Sequence, residues 1–512
     1  MFRFLISFAL LTLSVSFVSA QHDPQRNATQ AIASGDFKRA EKELKKANGA
    51  DPETMYVMML LALKQGDTET AIKHAQAALD SRLPFARLAV GPRELLAPLY
   101  KTDAYKKWQA EFGGNELKLL HGPMVGAVTD SGASFWVRTA GAAEVQVRIG
   151  DKISDTTKTS AGSDFTAVVK IAGLAPTTIY DYEVIIDGKA VVTDKKQFTT
   201  YPQQGKPGKF SVAFGGGAGY VPKWERMWNT IGTFDPVALL MLGDNVYIDQ
   251  PDHLLTQQYC YYRRQARTEW QRLIASTSIY SIYDDHDFGD NDCIPGPEIE
   301  KPAWKRSVWN VFRQNWVNPA YGGGESQPGC WYDFHIGDVH FIMLDGRYYR
   351  DLKGGTMLGP VQKAWLMETL KKSKATFKVL ASPVPWTEGI KPGSKDPWDG
   401  YPQEREQIFS FVEQNKIEGV FLISADRHRT DLRTIERPKG YTLYEFESSR
   451  LTNRHVHKVI KTPGLIWGYN KTCSFGLMDF DTTAADPKVT FRCIDIDGNV
   501  IEAYALPVSK LK

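Results

Sequence analysis

The chain has 512 residues, too many for one core, so about three folded units are expected. At 42% hydrophobic and 12% aromatic, its composition excludes disorder as the main state. The 62 Lys and Arg against 59 Asp and Glu leave a formal charge of +3, too balanced to indicate nucleic-acid binding through phosphate neutralisation, so an anionic ligand must be held locally.

Residues 1–20 read as a secretory signal: Arg3 supplies positive charge, Phe4 to Val18 is apolar, and Val18-Ser19-Ala20 is a small-residue cleavage site before Gln21. The apolar run is short for a membrane-spanning helix and no later segment is apolar enough to span, so an exported protein, periplasmic or extracellular, is expected, with no transmembrane segment after signal removal. A retained anchor is the competing reading. The five cysteines lack zinc-finger spacing, and an odd count leaves at least one thiol unpaired within a chain.

Between residues 22 and 112 the same Gly-Asp turn recurs, at Gly35-Asp36 and Gly66-Asp67, each between two helical segments. This resembles a degenerate tetratricopeptide array, with a packing role or a protein partner as its two readings. From 117 to 200 short alternating stretches such as Ser134-Phe135-Trp136-Val137-Arg138 predict a β-sandwich. Leu174 to Tyr182 resembles the tyrosine-corner segment of fibronectin type III domains, with Trp136 as core tryptophan. Nothing catalytic is visible in either region.

After a Pro/Gly/Lys linker at 203–209 the pattern changes to short continuous apolar runs alternating with helical segments. Phe210 to Phe214, Val237 to Leu242, His340 to Leu344, Phe377 to Ala381 and Val420 to Ser424 predict buried strands of an α/β sandwich over 208–510. The expected fold class is thus multidomain: an N-terminal all-α helical repeat, an all-β fibronectin type III-like sandwich, and a C-terminal α/β sandwich.

Polar residues cluster in three places, two of them directly after these strands. Asp244 in Gly243-Asp244-Asn245 can reach a cation and Tyr247 can supply a phenolate, although Gly-Asp-Asn is equally an ordinary turn. Tyr283 to Asp292 packs five carboxylates around His286, a crowding that solvent or a metal ion must relieve, and the flanking apolar residues favour the metal. Asp426 and His428 offer a hard oxygen and an imidazole to one cation or to adjacent ones, against the alternative of a surface Asp-Arg-His. Convergent strand-end carboxylates suit a two-metal hydrolase, in which paired cations hold a hydroxide nucleophile and clamp an in-line displacement, and phosphoryl transfer to water fits best. Arg347 and Arg350 offer compensating donors, although either can simply pair with an acid.

These motifs resemble the PhoD-like alkaline phosphatase and phosphodiesterase family of the metallophosphoesterase superfamily. The likeness runs from Phe210 onward, over Gly243–Tyr247, Asp284–Asp292, Leu344–Asp351, Leu358–Leu366, Trp398–Arg405 and Ser424–His428 in order. It implies a secreted metal-dependent phosphatase acting on small or polymeric phosphoric mono- or diesters through a metal-bound hydroxide. By position it implies Asp244, Tyr247, Asp285, Asn291, Asp426 and His428 as metal ligands, His286 oriented by Asp287 as the group facing the phosphate, and Arg347 with Arg427 holding phosphoryl oxygens. Relatives carry a Cys after the first strand whose thiolate holds ferric iron. Here the turn is Gly215-Gly216-Gly217-Ala218, so the implied cofactors are two or more divalent or trivalent ions, calcium and/or iron, with the iron left without its thiolate. Those glycines admit two readings, close approach to a phosphate or a tight turn. Two alternatives stay open: a phospholipase D-type diesterase for lipid or cell-wall diesters, and a decayed surface-binding protein.

Overall fold

Gly35 and Gly66 take φ of +77° and +82°, and Asp36 and Asp67 then accept the amides of Arg39 and Thr70 to cap the following helices. That is the physical content of the recurring Gly-Asp pair, which turns Pro24–Ala33 into Phe37–Leu44 and Pro52–Gln65 into Thr68–Asp80. The computed structural model describes residues 23–112, 118–191 and 196–512; the expected signal segment lies outside them. No described helix is long and apolar enough to cross a membrane. All five cysteines are buried and unpaired.

The β-rich segment forms two layers: Leu119–Gly126, Gly132–Thr139 and Thr166–Ala172 in one, and a sheet built on Glu144–Ile149 and Ile179–Ile186 in the other. Tyr180 accepts the Ala175 amide through its hydroxyl, tying loop to strand. Tyr182 and Trp136 instead face the C-terminal region, donating to the carbonyls of Ala275 (2.7 Å) and Gln314 (2.8 Å). Strand pairing also crosses that boundary, because Leu119–Gly126 lies parallel to Ser278–Ser281 and extends its sheet.

The C-terminal region is a sandwich of two mixed sheets. One has nine strands, in the order Val500–Pro507, Lys488–Asp495, Ser474–Asp481, Lys209–Gly215, Ala238–Met241, Ser278–Ser281 and then the three strands of the first β layer. The other has seven, running Tyr332–Ile336, Val339–Met343, Phe377–Ala381, Val420–Ser424, Leu443–Ser448, Thr430–Ile435, Leu465–Tyr469. The five strands read from apolar runs are all present, within a residue or so at each end. Their continuous apolarity follows from burial on both faces. Between the sheets Phe480 meets Phe341, Phe377 and Phe421, while Phe491 meets Phe214 and Phe446, with ring centroids 4.8 to 6.4 Å apart.

Candidate active site

Lys209–Gly215, Ala238–Met241 and Ser278–Ser281 are parallel neighbours, as are Val339–Met343, Phe377–Ala381 and Val420–Ser424, so their carboxyl ends open together at one edge of each sheet. Gly216 bridges to Ser449 and joins the two edges. A Cβ on Gly216 would lie 2.6 Å from the Ala425 Cβ, and one on Gly217, at φ +68°, would lie 2.9 Å from the Arg450 nitrogen. Close approach of protein backbone to protein therefore accounts for these glycines.

Seven residues around this seam hold left-handed backbone without being glycine: Asp244 (φ +54°), Tyr247 (+52°), Asp249 (+54°), Asp292 (+57°), Asp426 (+70°), His428 (+47°) and Arg450 (+77°). Each such residue costs on the order of 1 kcal/mol, and their concentration at one place marks a site over-determined by its surroundings.

Asp244, Tyr247 and His428 meet directly. The Tyr247 hydroxyl lies 2.8 Å from Asp244 Oδ2 and 2.9 Å from His428 Nε2, and Asn453 Nδ2 also donates to it. Asp244, Asp285 and His286 each offer a ligand atom within 4.8 Å of the others, and so do Asp285, Asp292 and Asp396. Asp426 joins through Lys391, whose Nζ stands 2.7 Å from Asp292 Oδ1, 2.9 Å from Asp396 Oδ2 and 3.8 Å from Asp426 Oδ2. Asp244 and Asp285 thus lie within ligand distance of each other, whereas Asp426 is linked to the group through Lys391.

Three expectations are revised by the geometry. His286 is oriented not by Asp287 but by Asp249, which pairs with the His286 Nδ1 while its other oxygen pairs with Arg26 from the first helix. Asp287 closes a capping box with Asp284 on the single helical turn Asp285–Phe288 and accepts the amides of Asn245 (2.8 Å) and Val246 (3.0 Å), which turns it away from the imidazole. Arg347 is fully buried, with Nε 2.5 Å from Asp284 Oδ1 and Nη1 2.6 Å from Asp396 Oδ1, so its donors face carboxylates and no surface a substrate can reach. Arg350 likewise pairs with Asp396, at 2.6 Å. Asn291 is exposed, and the next residue, Asp292, is the one that turns into the site. Arg427 stays beside Asp426 Oδ2 at 3.5 Å with its Nε unpartnered.

The sequence reading missed Lys391 and Asp396, which lie in an irregular loop with no periodic signal, and Arg26, from a region without visible chemistry. It also passed over His455 and His457, although a His-x-His spacing was there to be noticed.

Electrostatics separates the ionisable groups. Burial pushes Asp244 well above the usual carboxylate range, with Asp285 and Asp284 adding like charge against the opposing His286. Asp285 is depressed, because Arg347 and His286 together outweigh its burial. His286 is raised well above an ordinary imidazole, since Asp249, then Asp285 and Asp244, overcome its burial. Burial lifts Asp287 to about 6 against the amides it accepts. Asp244 Oδ1, Asp284 Oδ2, Asp285 Oδ1 and His428 Nδ1 are all buried with no hydrogen-bond partner. Buried carboxylate oxygens are rarely left so, and multivalent cations are the partners that suit this set.

Two facing mixed sheets with carboxylates gathered at the strand ends define a metallophosphoesterase-like α/β sandwich. A structure of PhoD superposes with a TM-score of 0.61 at 16% identity, covering 76% of this chain and 92% of that one. Purple acid phosphatase PPD1 from yellow lupin (Lupinus luteus) seeds superposes at 0.56 and 12% identity, covering 76% and 75%. Residues 210–464 match the family described as PhoD-like phosphatase, and residues 116–204 match a domain of unknown function, DUF7800. Alkaline phosphatase D of Bacillus subtilis (strain 168) is 31% identical over 110 residues, which span 17% of this chain and 19% of that relative. Residues 210–464 thus form a region of the PhoD-like phosphatase family.

Proposed function

We propose that the chain is an exported phosphatase that hydrolyses phosphoric mono- or diesters at a centre of two or more cations held by Asp244, Tyr247, Asp285, Asp426 and His428. The observation that carries this is the set of buried oxygens of Asp244, Asp284 and Asp285 that accept no hydrogen bond, brought from two loops to one seam. When bound, such cations supply Lewis-acid polarisation of phosphoryl oxygens and acidify coordinated water.

The chain's own groups do the rest. Asp249 fixes the His286 ring by its Nδ1, which leaves Nε2 as the donor for a leaving oxygen, and the raised basicity of His286 keeps that proton available at neutral pH. Arg427, whose Nε has no hydrogen-bond partner, is the donor for a phosphoryl oxygen. Asp284 and Asp396, held by Arg347, keep the loops around residues 285 and 391 in register. The helical repeat, read as tetratricopeptide-like, positions Asp249 through Arg26, and the fibronectin type III-like segment braces the sheet through Tyr182 and Trp136.

The test is hydrolysis of an aryl phosphate and a bis-aryl phosphate by Asp426→Asn and His428→Ala. Both are expected to lose turnover while unfolding as the parent does, and full activity in either would place the chemistry elsewhere. The same two substrates decide between monoesters and diesters.

A further inference from the structure

His428 closes the strand Val420–Ser424, whereas His455 and His457 lie in the irregular stretch between Leu443–Ser448 and Leu465–Tyr469. The fold brings the three rings together, with centroids 5.3 Å apart for His428 and His455, 5.4 Å for His428 and His457, and 4.6 Å for the His-x-His pair. One ring nitrogen of each lies within 4.8 Å of the others. The loop is anchored where it matters, since the His455 amide donates to Asn453 Oδ1 at 2.7 Å and Asn470 Nδ2 donates to the His457 carbonyl at 2.9 Å. His428 is 7% exposed and its Nδ1 has no hydrogen-bond partner, while His455 and His457 are half-buried.

We propose that His428, His455 and His457 form a three-imidazole site for a borderline-soft divalent cation of the zinc type, beside the carboxylate centre and sharing His428 with it. The donor sets differ in kind. Apart from the shared His428, the carboxylate centre presents the hard oxygens of Asp244, Tyr247, Asp285 and Asp426, which suit calcium, magnesium or manganese, whereas a set of nitrogens favours zinc, cobalt, nickel or copper. Three protein ligands leave a coordination position for water or a substrate oxygen, in the manner of catalytic rather than closed structural zinc sites. The buried Nδ1 of His428 has no hydrogen-bond partner, and the half-buried rings of His455 and His457 pack against the same imidazole. Arg427, close by, disfavours a cation, but its charge is offset by Asp426 at 3.5 Å.

The site is tested by titrating the metal-free full chain with Co²⁺, followed by visible absorption, with Zn²⁺ as competitor. The parent is expected to show a saturable band that Zn²⁺ displaces. His455→Ala and His457→Ala should each weaken Co²⁺ binding more than about tenfold, since even the loss of a group behind a ligand costs that much. His457→Gln should behave likewise, and Asp285→Asn should keep the band. A parent without a saturable band overturns the proposal. So do histidine variants that titrate as the parent does, or a band that disappears in Asp285→Asn yet survives in the histidine variants. Cobalt absorption is read without turnover, so failure here leaves the hydrolase reading standing, and failure of the hydrolase reading leaves this site standing.

Discussion

Replacing Asp249 by Asn removes the one carboxylate that touches both His286 and Arg26 while keeping its shape. The three side chains are 10%, 9% and 6% exposed, so solvent does little to screen the change. Hydrogen bonds to a charged group contribute about 1.5–3 kcal/mol, which corresponds to a roughly 10- to 150-fold fall in kcat/KM if the His286–Asp249 contact acts in the transition state. The contact also raises the His286 pKa, Asp249 being the first of the groups that oppose its burial. The protonated form is present below the folded-state pKa and lost as pH rises through it. Without Asp249 that loss sets in earlier, so the alkaline limb of the rate profile moves to lower pH. Arg26→Gln leaves Asp249 to His286 alone and should move the limb the other way. The assay is kcat/KM for an aryl phosphate across roughly pH 5 to 10. Asp287→Asn provides the contrast: it weakens the turn that holds Asn245 and Val246, costing about 1–3 kcal/mol of stability, and leaves the limb in place. A parent-like rate and profile in Asp249→Asn, with the limb moving in Asp287→Asn instead, would refute the assignment.

Asp51 is buried beside the first helical pair and its carboxyl is pushed up to about 6 by burial, so the native state is favoured below the ordinary carboxylate pKa and loses that advantage as pH rises through about 6. Asp51→Asn retains the cap on the Glu53 amide and should gain roughly 2 kcal/mol at pH 8 but nothing near pH 4 in urea unfolding; an equal gain at both would show that charge is not the cause. Gly243 has φ of +106° and an added Cβ would lie 2.5 Å from the Asp284 Cβ, so Gly243→Ala should cost at least about 2 kcal/mol by the same measurement. Chelation should abolish hydrolysis and lower the melting temperature together, because Asp244, Asp284 and Asp285 then face one another without counter-ions; unchanged calorimetry and full activity after exhaustive chelation would exclude a cation centre.

Much of this was legible from local pattern. Continuous apolar runs placed the five buried strands, because a strand covered on both faces has no polar side to show. The Gly-Asp repeats placed the helical hairpins, because a left-handed glycine followed by a capping carboxylate is a local device. Asp244, Tyr247, Asp426 and His428 were visible because each sits just beyond the end of such a strand, where a polar residue needs a reason, and Asp285 and His286 because carboxylates crowd around one imidazole.

Tertiary structure alone decided who partners whom. Asp287 adjoins His286 in sequence, but one turn of helix points it at the backbone and leaves the imidazole to Asp249 and, behind it, to Arg26 from more than 200 residues away. Arg347 reads as a phosphate binder until packing closes Asp284 and Asp396 around it. Lys391 and the imidazoles of His455 and His457 lie in loops whose paths carry no periodicity, so only the folded chain brings them to the seam. Sequence fixes which groups can ionise or ligate and where the strands end; distance and burial, which set the energy between charges, exist only once the two sheets have closed.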